Sequence, residues 1–127
     1  MRVVPPELPS GVGDDDFCYL TTRGRRSGRP HEIEICFALD GSTLYLLAGG
    51  GERSDWVRNL AVEPSVTVRL RATTYAATAR AVEPGTPLDD RARALVFVKY
   101  QPRSGGLTGW RDSALPVAIE LLGQQPL

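Results

Sequence analysis

The chain has 127 residues, with 15 basic and 15 acidic side chains and so a formal net charge of zero. That length supports one self-sufficient core and is too short for two. Neutrality removes any general attraction to nucleic acid or to an anionic membrane, so an anion site must be local. No apolar run approaches the roughly 18 residues a bilayer span needs, and the Met1-Arg2-Val3-Val4-Pro5-Pro6 start has no signal-peptide apolar core, which predicts a cytoplasmic protein without membrane association.

Residues 1–14 contain Pro5, Pro6, Pro9, Gly11 and Gly13 and no helical period, so they read as an extended arm ahead of a single domain over residues 15–127. Residues 17–21 have strand propensity. Residues 30–39 alternate as one strand, with Ile33, Ile35, Phe37 and Leu39 on one face. Asp40-Gly41 marks a tight turn, and residues 43–47 return as the hairpin partner. The period then changes: Ser54 or Asp55 starts a short helix in which Trp56 and Leu60 share a face, and Pro64 ends it.

Strands resume at residues 66–71 and 75–82. Thr86, Pro87, Asp89 and Asp90 form a helix start, with Ala92, Leu95, Val96 and Lys99 marking its period up to Pro102. Residues 104–113 read as a glycine-rich loop carrying Trp110 and Arg111. Residues 116–122 close the chain as a strand with Val117, Ile119 and Leu121 inward. About six antiparallel strands and two helices argue for a mainly β, closed or nearly closed barrel, since an open sheet this small would expose long edges.

Two segments carry chemistry. Thr21-Thr22-Arg23-Gly24-Arg25-Arg26-Ser27-Gly28-Arg29-Pro30 places four arginines within seven residues, and its glycines let backbone N–H groups approach an anion. Gly49-Gly50-Gly51 leads into the helix of Trp56 and Asn59, whose N-terminal end adds donors and a positive dipole end. Cys18 and Cys36 sit in strand-like runs and read as reduced, buried thiols. The lone His31 gives no zinc spacing and no Ser-His-Asp arrangement, and it reads as a satisfied polar residue beside the arginine loop. Metal ligands and a catalytic residue are therefore not assigned.

The order Leu20-Thr21-Thr22-Arg23-Gly24-Arg25-Arg26-Ser27-Gly28, Asp40-Gly41, Leu44-Tyr45-Leu46-Leu47, a glycine run, Trp56-Val57-Arg58-Asn59-Leu60 and Pro64-Ser65-Val66 resembles the deazaflavin-dependent nitroreductase and quinone reductase family. The resemblance spans residues 17–82 and implies a split β-barrel that uses coenzyme F-420 for hydride transfer to a small conjugated acceptor such as a quinone, enone or nitroaromatic. Two features depart from the family pattern. Arg53-Ser54-Asp55 leads directly into Trp56 where a longer loop ending in His-Pro is common, and a proline-rich arm stands where longer members carry an amphipathic helix.

Carried over by residue, the resemblance puts phosphate and tail contacts on Arg25, Arg26, Ser27 and Gly28. It lays strand backbone along the deazaflavin ring near Ile35 and Cys36, although Cys36 taken by itself reads first as a small packed residue. Ala48, Gly49 and Gly50 would allow close backbone approach. Ser54 either bonds phosphate or caps its helix, Trp56 packs into the barrel with cofactor contact as the second role, and Asn59 either ties loop to helix or meets the ligand. Tyr75, Tyr100 and Trp110 are substrate-side candidates whose alternative is the core. The family pairs two barrels about a twofold axis, so a homodimer is expected, with residues 101–115 helping to wall the acceptor pocket. Flavin mononucleotide (FMN) in an oxidase or reductase, and a non-enzymatic carrier of a fatty acid or haem, are the alternatives for the same fold; the arginine loop favours a phosphorylated ligand over a fatty acid.

Overall fold

A computed structural model describes residues 5–125. Seven strands and three helices follow one another as β1 (Cys18–Arg23), β2 (Pro30–Ile35), β3 (Ala38–Asp40), β4 (Thr43–Ala48), α1 (Asp55–Val62), β5 (Ser65–Leu70), β6 (Thr73–Ala81), α2 (Pro87–Ser104), α3 (Thr108–Ser113) and β7 (Leu115–Gln124). Every strand pairing is antiparallel. The order across the sheet is β2-β1-β5-β6-β7-β4-β3. Its two edge strands, β2 and β3, are consecutive in the chain and separated only by Cys36 and Phe37. The sheet must therefore curl until its edges meet at that corner, which is the expected split barrel.

The corner corrects the reading of residues 30–39 as one strand. Phe37 is fully buried, and its N–H donates to Tyr100 Oη at 2.9 Å instead of to a neighbouring strand. Alternation across Ile33, Ile35 and Phe37 reports which face is inward and says nothing about where the backbone hydrogen bonds go, so the break is invisible to it.

Two apolar clusters follow from strand alternation. Leu20, Leu44, Leu46, Val68, Val117 and Ile119 fill the barrel. Tyr45, Leu47 and Ala118, on the opposite face of β4 and β7, meet Ala92, Val96 and Tyr100 of α2. β4 and β7 are thus buried on both sides, and each fully buried leucine contributes about 1.5–3 kcal/mol. Thr86 caps α2 as expected, its Oγ1 accepting from Asp89 N–H at 3.2 Å. The helix continues to Ser104, two residues past Pro102. The carbonyl that Pro102 leaves unbonded belongs to Val98, itself 71% exposed and open to water.

Two further expectations change. Residues 108–113, read as loop, form α3, which sets Trp110 edge-on against Tyr100 with ring centroids 6.5 Å apart. The arm is not simply extended: residues 12–14 make one 3-10 turn with Val12 buried in the barrel core. Residues 1–4 of the predicted arm lie outside the described residues. α1 contributes Val57 and Leu60 to the barrel core, with Trp56 packed against it.

Candidate functional site

β1 ends at Arg23 and the chain turns back into β2 at Pro30 through a loop tied to itself. Gly24 N–H donates to Arg29 O at 2.7 Å and Gly28 N–H to Gly24 O at 2.8 Å. Gly28 has φ +72°, a conformation that side chains disfavour. Ser27 Oγ accepts from Arg29 N–H at 3.1 Å, and Arg23 Nη1 donates to Gly28 O at 2.9 Å. Gly24 is buried, and a Cβ there would lie 2.7 Å from Ser27 Oγ and 2.8 Å from His31 Nε2. Glycine at 24 is what lets those two side chains converge over the loop.

The loop is fastened to α1 by buried polar groups. Asn59 is 4% exposed and Thr22 1%. Asn59 Oδ1 accepts from Arg25 N–H at 3.2 Å and from Arg25 Nη1 at 2.9 Å. Asn59 Nδ2 donates to Thr22 Oγ1 at 3.2 Å. Arg25 Nη2 reaches Asp55 Oδ1 at 3.3 Å. Ser54 occupies the N-cap position of α1, yet its hydroxyl makes no cap hydrogen bond, so capping does not account for a serine there.

Between loop, β2 and α1 lies a cleft of about 630 Å³, bounded by Gly24, Arg25, Arg26 and Ser27 from the loop, residues 30–33 from β2, and Asp55, Trp56 and Asn59 from α1. Its size falls within the roughly 300–1,000 Å³ of ligand sites. Because β2 is a sheet edge, the strand that walls the cleft has one side free of strand partners. Arg26 and Ser27 are exposed, and Arg26 has no hydrogen bond or ion pair among the described residues. An exposed guanidinium, a hydroxyl, an open strand edge and an aromatic floor fit a phosphorylated group with a flat ring.

The cleft brings together Arg25, Arg26, Ser27, Trp56 and Asn59 from the sequence-based set, and adds Thr22, His31, Glu32, Ile33 and Asp55. Inward alternation with Cys18 and Leu20 points to Thr22, and four-residue spacing from Asn59 points to Asp55. Gly28 serves the loop's turn. Ile35 and Cys36 lie half-buried at the far end of β2. Ala48 is buried in the barrel. A Cβ on Gly50 would lie 2.6 Å from Ser54 Oγ, so glycine there serves the link into α1, whereas one on Gly49 would make only ordinary contact with Trp110 at 3.8 Å.

Tyr75, Tyr100 and Trp110 are not brought to this cleft. Tyr75 lies inside the barrel, 3% exposed, and Tyr100 packs between α2 and the sheet, 5% exposed. Its hydroxyl donates to Asp16 O at 2.6 Å while accepting from Phe37 N–H, and burial raises its pKa above the ordinary phenol value. Trp110 is half-buried against it. Both cysteines are free; burial raises Cys36 and pushes Cys18 up to about 12, so both are protonated thiols near neutrality and poor nucleophiles.

The curled antiparallel sheet is a split barrel, and the family match makes the chain an oxidoreductase. Residues 10–121 match the model of the F-420H(2)-dependent quinone reductase family, and the chain belongs to that family, whose cofactor is the reduced deazaflavin coenzyme. Solved structures agree on the architecture. The reductase FDR-A, described as dependent on reduced F-420, superposes with a TM-score of 0.66 at 22% identity, covering 83% of this chain and 93% of its own. A domain-swapped dimer gives 0.66 at 21% identity, with 83% and 79% covered. The heme storage protein HutZ of Vibrio cholerae gives 0.63 at 20%, with 87% and 83% covered. At these identities the three establish the fold alone.

Proposed function

We propose that this chain transfers hydride from reduced coenzyme F-420 to a small conjugated acceptor, a quinone, enone or nitroaromatic, and does so as a homodimer. The carrying observation is the cleft beside the arginine loop, where exposed Arg26 and Ser27 stand at one end of an edge strand. When bound, the coenzyme supplies hydride from the ring carbon that stands where a flavin has its reactive nitrogen. The protein's work is then binding and orientation. The Arg26 and Ser27 side chains, with the backbone N–H groups of the same two residues, would hold the phosphate and acidic tail, and the free edge of β2 along residues 30–33 would face the ring. Trp56 walls the same cleft, whereas Ser54 does not line it. Alignment of donor and acceptor at contact distance is the main source of rate, and no side-chain nucleophile is needed.

The homodimer reading is supported by the bare outer face of the sheet. Thr21, Thr67, Ala76 and Leu122 line a shallow depression of about 450 Å³ there, and Leu122 is 41% exposed. A second copy on this face would bury it, and α3 with Trp110 and Arg111 would then help to wall the acceptor pocket. The test is spectral reoxidation of the reduced coenzyme, without oxygen, by a quinone, an enone and a nitroaromatic in turn. At least one acceptor is expected to take one hydride per coenzyme oxidised. Reoxidation no faster than in buffer with all three would contradict the reading.

A further inference from the structure

Arg25 and Arg26 are neighbours in one loop and border one cleft, and the sequence treats them alike. Their surroundings differ. The Arg25 side chain is only 21% exposed, and its guanidinium is spent on protein acceptors, Asn59 Oδ1 at 2.9 Å and Asp55 Oδ1 at 3.3 Å. Its backbone N–H goes to the same Asn59 oxygen at 3.2 Å. Arginine and backbone N–H are donors only, so the carboxamide must turn its oxygen toward Arg25, and this leaves Nδ2 for Thr22 Oγ1. The amide's orientation is thus dictated by its partners. Asp55, whose side chain is 85% exposed, borders the cleft beside Arg25, where its carboxylate offsets the guanidinium and repels a second anion.

We infer that Arg25 is an internal strut and Arg26 the side-chain cation that meets the ligand's phosphate, with Asn59 and Asp55 as the positioning residues that set this division. The coenzyme's identity rests on the function proposed above; the division itself rests on the hydrogen bonds. Asn59, Arg25 and Thr22 lock the loop onto α1, so that the loop backbone and Arg26 are presented without further ordering when an anion arrives.

The experiment compares Arg25→Ala, Arg25→Lys, Arg26→Ala, Arg26→Lys and Asp55→Asn with the unchanged chain, by thermal melting without ligand and by tryptophan-fluorescence titration with oxidised coenzyme F-420 and with inorganic pyrophosphate at two ionic strengths. Arg25→Ala should lower Tm by about 3–6 °C, and Arg25→Lys should fail to restore it, since an ammonium cannot reproduce the planar fork. Arg26→Ala should leave Tm within about 1 °C, weaken both ligands about tenfold or more and remove most of the salt dependence. Arg26→Lys should keep most of the affinity. Asp55→Asn should tighten binding about threefold. Equal Tm changes for the two alanine variants, loss of salt dependence in Arg25→Ala, or weaker binding in Asp55→Asn would each overturn the inference. If the unchanged chain bound pyrophosphate and not the coenzyme, the proposed function would fall while the division between the arginines would still be decided. Binding of neither ligand would refute the role of Arg26.

Discussion

Asp15 is where the N-terminal arm meets the barrel. Its carboxylate accepts from Arg71 Nε and Nη2 at 2.9 and 3.1 Å, and its carbonyl accepts from Lys99 Nζ at 2.6 Å. Arg71 is the one non-glycine residue among those described with positive φ, 56°, a conformation costing about 1–2 kcal/mol; the two-point pair with Asp15 helps to hold it there. The hydrogen bonds from Arg71 keep the Asp15 carboxyl below its ordinary pKa. A depressed folded value means that the unfolded chain binds the proton more readily, so this contribution is present above the unfolded pKa near 4 and is lost as pH falls through the folded one. Asp15→Asn should therefore lower Tm at pH 7 and differ less from the unchanged chain as pH drops toward 3. Melting curves across that range check it, and a gap that stayed constant with pH would contradict the assignment.

At the scale of elements, α2 holds the corner between β2 and β3. Tyr100 Oη accepts from Phe37 N–H and donates to Asp16 O, while Lys99 Nζ donates to Phe37 O at 2.8 Å. Tyr100→Phe would leave the buried Phe37 N–H without its acceptor, so a stability loss of about 1–3 kcal/mol is expected. Coenzyme affinity should be unchanged, because the Tyr100 side chain packs between α2 and the sheet and does not line the cleft. Denaturant unfolding with a parallel ligand titration separates this from a substrate-side role. The elements that sequence made legible are those with local signals: β4 as the return strand after the Asp40-Gly41 turn, β7 through its apolar residues Val117, Ile119 and Leu121, and α2 through the Thr86 cap and Pro87. The corner at Phe37 was not legible, because its hydrogen bond comes from a residue 63 positions away. α3 was hidden by Gly105, Gly106 and Gly109, which mark a loop by composition. In the cleft, the arginine and glycine spacing was legible, whereas the unequal roles of Arg25 and Arg26 depend on Asn59, 34 residues from Arg25.

For the whole molecule, the bare sheet face around Leu122 leads to a specific expectation. Light scattering at micromolar concentration should give twice the chain mass, and Leu122→Lys, which puts a charge on that face, should shift the mass toward one chain and lower reductase activity. A monomer mass with full activity would remove the dimer and require an acceptor pocket complete within one chain. We assign the cleft beside the arginine loop to a phosphorylated deazaflavin. Trp56 borders that cleft, so its fluorescence reports occupancy. The most direct measurement is a parallel titration of the protein with oxidised coenzyme F-420 and with flavin mononucleotide. Tighter binding of the deazaflavin, weakened by added salt, is the predicted result; equal or stronger affinity for flavin mononucleotide would contradict it.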